Sequence, residues 1–134
     1  MPSRLSERTP AELALAWRDA LLARDAPAFG RLFAEDGAMV DVEHRTADLS
    51  EPRPLVGRAE IEAQAAAWLE STPFFAYDVL EVLADETRAA ALWRYEVDGV
   101  ELYGVSWLEC ERGEIRQARV YFDSHGLLRG LGRA

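Results

Sequence analysis

The sequence predicts an α+β domain, with helices gathered on one face of a mostly antiparallel sheet. Helix signals fill the first half of the chain, and four apolar runs joined by short turn sequences fill the second. The 134 residues make a single domain, 1–134, whose folding buries roughly two-thirds of the unfolded surface.

Thr9-Pro10-Ala11-Glu12 is a capping box with proline at the first helical position. Leu13, Trp17, Ala20, Leu21 and Arg24 follow at three-to-four spacing, one stripe of a helix that runs to Asp25. Asp25 caps a short second helix, with Pro27 just inside it and Phe29, Leu32 and Phe33 along it. The turn Glu35-Asp36-Gly37 then launches a strand over 38–42. Residues 45–54 are polar and proline-bearing, hence a loop, and 57–70 form a second long helix that turns Ile61, Ala65, Trp68 and Leu69 inward. Pro73 stops it. Strands follow at 74–83, 88–97, 100–110 and 114–122, joined by Ala84-Asp85-Glu86, Asp98-Gly99 and Arg112-Gly113. Asp-Gly between apolar runs is a strong hairpin signal, so the strands form an antiparallel meander.

Composition excludes several function classes. The net charge of −9 and pI near 4.7 argue against nucleic acid, which needs a basic face. No apolar run approaches the roughly 20 residues that span a bilayer, and MPSRLSERTP lacks the apolar core of a secretion signal. Cys110 is alone, which excludes an internal disulfide and fits a reducing cytoplasm. Lysine and asparagine are missing altogether, a coding pattern of GC-rich bacterial genomes, so lysine Schiff bases and phosphate-loop lysines are ruled out. Two histidines and one cysteine without close spacing make no zinc signature, and no metal or cofactor is expected.

Three segments, LFAEDGAMVDV, PLVGRAEI and VYFDSHGLLRGLG, resemble the nuclear transport factor 2-like superfamily, and the last looks like the tail of SnoaL-like proteins. Ketosteroid isomerases and SnoaL-like polyketide cyclases belong to that superfamily. The resemblance implies a cystatin-like cone, a strongly bent sheet wrapped against helices around a pocket open at one end. It also implies a homodimer through the outer sheet face.

Asp41 lies in the apolar run of the first strand, where a carboxylate is costly unless solvated, paired or used. Met39, Asp41 and Glu43 share one face of that strand, so a pocket reached by Met39 is reached by Asp41. By resemblance Asp41 stands at the proton-shuttling aspartate of ketosteroid isomerases. The donors of that reaction are not carried over: Trp17 stands where those enzymes have a tyrosine, and Ser106 near their later acid. About 3 kcal/mol of transition-state stabilisation per donor would be missing, which disfavours steroid isomerisation by that route. Asp123 matches the acid/base aspartate of SnoaL-like cyclases, with Glu109 near the position of its supporting histidine; it is equally suited to capping the turn at 124–127. His44 and His125 read as surface residues. Epoxide hydrolases of the superfamily need an asparagine that this chain lacks.

Trp17, Trp68, Trp93, Tyr95, Tyr103, Trp107 and Tyr121 are dense for a small domain and either fill the core or wall a pocket. As pocket walls, Trp17, Met39, Trp68, Trp93, Tyr95, Ser106 and Tyr121 form a substrate-binding set for a flat, hydrophobic ligand. Arg94 and Glu96 alternate with Trp93 and Tyr95 and so fall on the outer face, where Ala90, Leu92, Val105 and Val120 complete a patch for a second copy. Cys110 reads as an inert small hydrophobe. Two functions follow: a cofactor-free cyclase, isomerase or dehydratase using Asp41 or Asp123, or a binding or accessory domain that keeps the pocket without turnover.

Overall fold

Thr9 Oγ1 accepts from the Glu12 backbone N–H at 3.1 Å while the Glu12 carboxylate accepts from Thr9 N–H at 2.8 Å, and helix α1 (Pro10–Leu22) starts at that box. The computed structural model describes residues 7–41 and 54–122. Asp25 caps α2 (Ala26–Gly30) by accepting from Ala28 N–H at 2.9 Å. Strands β1 (Phe33–Asp41) and β2 (Leu55–Val56) precede α3 (Arg58–Ser71); β3 (Ala76–Ala84), β4 (Arg88–Val97), β5 (Val100–Glu111) and β6 (Glu114–Phe122) follow it. The sheet order is β2-β1-β6-β5-β4-β3; β1 runs parallel to β6, and the other pairs are antiparallel. This is the α+β cone architecture: helices against one face of an open, mixed sheet.

Three boundaries differ from the sequence pattern. Helix α1 ends before Arg24, whose φ of 57° leaves the helical region. Its guanidinium instead donates to the carbonyls of Leu69, of Thr72 at 3.1 Å and of Pro73 at 3.4 Å, closing the C-terminal end of α3 with a cation where the helix dipole favours one. Phe33 opens β1 rather than closing α2, because it pairs with Ile115, and Glu35-Asp36-Gly37 becomes a bulge inside the strand. Just past the expected 45–54 loop, Leu55 and Val56 pair with Met39 and Ala38.

All three predicted hairpins form, and the two-residue turns Asp98-Gly99 and Arg112-Gly113 have the positive φ that such turns require. At the β3–β4 turn Asp85 Oδ1 accepts from the backbone N–H groups of Thr87 at 2.9 Å and Arg88 at 2.8 Å.

Two one-residue insertions decide which side chains meet the helices. On β3, Val79 pairs with Trp93 and Glu81 with Leu92, which leaves Leu80 out of the ladder. On β6, Ile115 pairs with Cys110 and Gln117 with Glu109, which leaves Arg116 out. Beyond each insertion the phase of the strand reverses. Tyr77 therefore lies opposite Tyr95, Val120 opposite Ser106, and Tyr121 opposite Val105. The result corrects the expected outer patch: Val120 is buried at 8% exposure, and Tyr121 takes its place outside. Leu13, Phe33, Ile61, Leu108 and Ile115 form the driest part of the core, under α1 and α3.

Candidate functional site

Between α1, α2, α3 and the inner sheet face lies a cavity of about 460 Å³. Its walls are mostly aromatic and aliphatic, the composition that suits a small apolar ligand. Trp17 comes from α1 and Trp68 from α3; Trp93 and Tyr95 come from β4, Ser106 from β5 and Met39 from β1, and all six line it. Tyr121 does not: its side chain is 43% exposed on the outer face, while its neighbours Val120 and Phe122 line the cavity. The insertion at Arg116 is the physical reason.

The aromatic side chains form three clusters. Trp17 meets Phe29 edge-on at 4.7 Å. Trp68 meets Phe75 edge-on at 4.9 Å and Tyr95 at 5.8 Å. Tyr77 stacks on Trp93 at 5.6 Å with 26° between the rings. Gly104 is what lets Trp93 lie down, since a Cβ there would run into the indole and the Tyr121 carbonyl.

Polar groups gather at the buried end. Trp93 Nε1 donates to Ser106 Oγ at 3.0 Å. Burial holds the Tyr77 hydroxyl far above the ordinary tyrosine range. Tyr95 is pushed up to about 12 by burial, with the charge of Asp98 adding to it. Among the described lining residues the one charged group is Asp98, exposed on the β4–β5 turn. Gln64, Thr72, Tyr77 and Asp98 line the cavity without having been marked in the sequence.

Asp41 is the last residue of β1, paired in register with Val120. Asp123, His44 and His125 lie outside the described residues. Glu109 is half-buried on β5 and is not among the lining residues. Among the described residues no three metal-ligating side chains converge, and no helix is long and apolar enough to cross a membrane.

On the outer face Arg94 bridges Asp78 at 2.9 Å, Glu96 at 2.9 Å and Glu101 at 3.1 Å. A hydrogen bond donated by Tyr103, with Arg94 beside it, holds Glu101 below the usual carboxylate range. Cys110 is half-buried and its thiol is pushed up to about 11.

The SnoaL-like domain family matches residues 14–118. The chain belongs to that family. No curated protein matches it. Among solved structures, the SnoaL-like domain is similar to a protein with a ketosteroid isomerase-like fold from Catenulispora acidiphila, crystallised with trimethylamine. The TM-score is 0.77 at 20% identity, covering 95% of this chain and 96% of that one. It is similar also to a nuclear transport factor 2-like protein of unknown function from Mesorhizobium loti, with TM-score 0.71, 24% identity and coverage of 85% and 90%. A phenazine biosynthesis-related protein from Pseudomonas aeruginosa gives TM-score 0.67, 19% identity and coverage of 92% and 85%. At these identities the likeness is one of fold.

Proposed function

We propose that this SnoaL-like domain takes a flat, largely apolar polyketide-, steroid- or terpenoid-like molecule into its cavity. It turns the molecule over by cofactor-free proton transfer, as a cyclase, isomerase or dehydratase. The observation that carries the reading is the cavity of about 460 Å³ walled by Trp17, Trp68, Trp93 and Tyr95. Asp41 is the proton shuttle: Met39, two residues before it, and Val120, its register partner, both line the cavity. Asp123, next in sequence after cavity-lining Phe122, is the second candidate. In the step assigned to Asp41 a C–H bond beside a ligand carbonyl breaks, its proton moves to the carboxylate and its electron pair to the carbonyl oxygen. Return of the proton at a second carbon completes an isomerisation. The lone cysteine suits a cytoplasmic setting.

Binding without turnover is the second reading, favoured by Trp17 standing where isomerases of this superfamily carry a tyrosine. One experiment separates the two. A panel of flat cyclic ketones is offered in deuterated water, and exchange of the protons beside the carbonyl is followed by NMR. We expect the wild type to accelerate exchange and Asp41→Asn to bind the same ketones without doing so. Exchange that survives the substitution removes Asp41 as the base, and binding without exchange in the wild type leaves the accessory reading.

A further inference from the structure

Along the inner face of β4, burial falls toward the β4–β5 turn. Ala91 and Trp93 are buried, Tyr95 and Val97 are half-buried, and Asp98 on the turn is exposed. Helix α3 runs the same way: Ile61 and Ala65 are buried, and Trp68 further on is half-buried. The cavity therefore opens where the Trp68 and Tyr95 rings meet, 5.8 Å apart, with Asp98 at its rim. Asp98 is the one charged group among the described lining residues, and its sign matches the net −9 of the whole chain. An acid at the mouth of a low-dielectric cavity concentrates cations there and repels carboxylates. The rings beside it suit the same sign of charge. Outside the lining, the Arg24 guanidinium already lies over Phe75 at 5.8 Å, and Phe75 packs on both Trp68 and Tyr95.

We infer that the cavity selects a flat apolar molecule that carries an ammonium group: the body lies among the aromatic walls, and the cation stays at the mouth between Asp98 and the rings of Trp68 and Tyr95. The inference rests on the reading that the cavity takes a small molecule and adds the charge of that molecule. An alkylated ammonium is the fitting head group. Its methyl groups hold water weakly, and aromatic rings attract its charge. At the rim the ion keeps part of its hydration, so neither it nor Asp98 bears the full cost of burial. Asp98 also holds the turn at a φ of 53°, a conformation that asparagine adopts as readily. Its charge can thus be removed with the hairpin left in place.

The test uses three probes on one frame: 2-naphthylmethyl-trimethylammonium, its neutral isostere 2-neopentylnaphthalene, and the anion 2-naphthylacetate. Affinities are measured for wild type, Asp98→Asn and Glu86→Gln. Glu86→Gln removes an equal charge at the β3–β4 end of the sheet, away from the cavity lining. We expect the wild type to bind the cation about tenfold tighter than the isostere and to bind the anion weakest. Asp98→Asn should cut that preference to about threefold, the share left to the rings, and Glu86→Gln should leave it alone. The methyl resonance of the bound cation should move upfield in the ring currents of Trp68 and Tyr95. An isostere that binds as tightly as the cation overturns the inference and leaves the cavity reading intact. So does an unchanged preference in Asp98→Asn, an equal loss in Glu86→Gln, or a methyl resonance that stays in place on binding. If none of the three probes binds the wild type, the cavity reading falls as well.

Discussion

At the scale of single residues the site depends on Gly104. Trp93 is a cavity wall, the stacking partner of Tyr77 and the donor to Ser106, and it occupies the space above Gly104. A methyl group at 104 would collide with the indole on one side and the Tyr121 carbonyl on the other. The indole can swing away, but the carbonyl belongs to the β5–β6 ladder and has little room to give. Gly104→Ala should therefore cost about 1–3 kcal/mol, the usual range for overpacking. Urea unfolding measures it, and the Trp93 Nε1–H resonance should move as its bond to Ser106 is lost. Equal stability with an unmoved resonance would show that the contact is loose. The same neighbourhood gives Ser106 a positive task. Where a resemblance to ketosteroid isomerases puts an acid, the Ser106 hydroxyl accepts from Trp93 and keeps a proton of its own to donate.

At the scale of elements, the fold was legible wherever a local signal is decisive. The capping box at Thr9, the Asp25 cap and the Asp98-Gly99 and Arg112-Gly113 turns each fix backbone geometry within a few residues, and each sits where its chemistry requires. Strand phase is different. A bulge shifts every later residue to the opposite face, yet Leu80 within YDVLEVLA and Arg116 within EIRQARVYF look like their neighbours. Counting back from the β3–β4 turn without the insertion puts Tyr77 opposite Glu96, on the outer face. The same count on β6 puts Val120 outside and Tyr121 inside. The same kind of hidden insertion thus explains why Tyr77 was missed and Tyr121 misplaced. It also redraws the outer face. Leu92, Val105 and Tyr121 now form a continuous row across β4, β5 and β6, with Leu92 at 38% and Tyr121 at 43% exposure. We propose that a second copy covers this row. Sedimentation of the purified protein should then give twice the 15.0 kDa chain mass, and Leu92→Glu should shift it toward one. A wild type that stays monomeric at high concentration would exclude the pairing.

For the whole molecule, burial of neutral acids sets the response to alkali. Three such groups keep their protons longer in the folded chain than in the unfolded one: Cys110, pushed up to about 11, Tyr95, pushed up to about 12, and Tyr77, raised further by deeper burial. Their ordinary values are 9.0 for the thiol and 10.0 for the tyrosines. Above those values the unfolded chain releases protons that the folded chain still holds, so rising pH favours unfolding. The stabilising difference is fully present below pH 9 and is lost first through Cys110, between its ordinary value and about 11, then through the tyrosines. Cys110 and Tyr95 are only half-buried, so their share is smaller than that of Tyr77. Urea midpoints measured from pH 8 upward should hold steady to about pH 9 and then fall. Cys110→Ala should delay the onset of the fall by removing the first group to titrate. Tyrosinate absorbance of the folded protein supplies the independent reading: Tyr77 and Tyr95 should ionise only as the chain unfolds. A midpoint that stays flat to pH 11, with all tyrosines ionising together in the folded state, would mean that water reaches the cavity floor freely. The walls that shelter Tyr77 would then be too open to strengthen any hydrogen bond it makes.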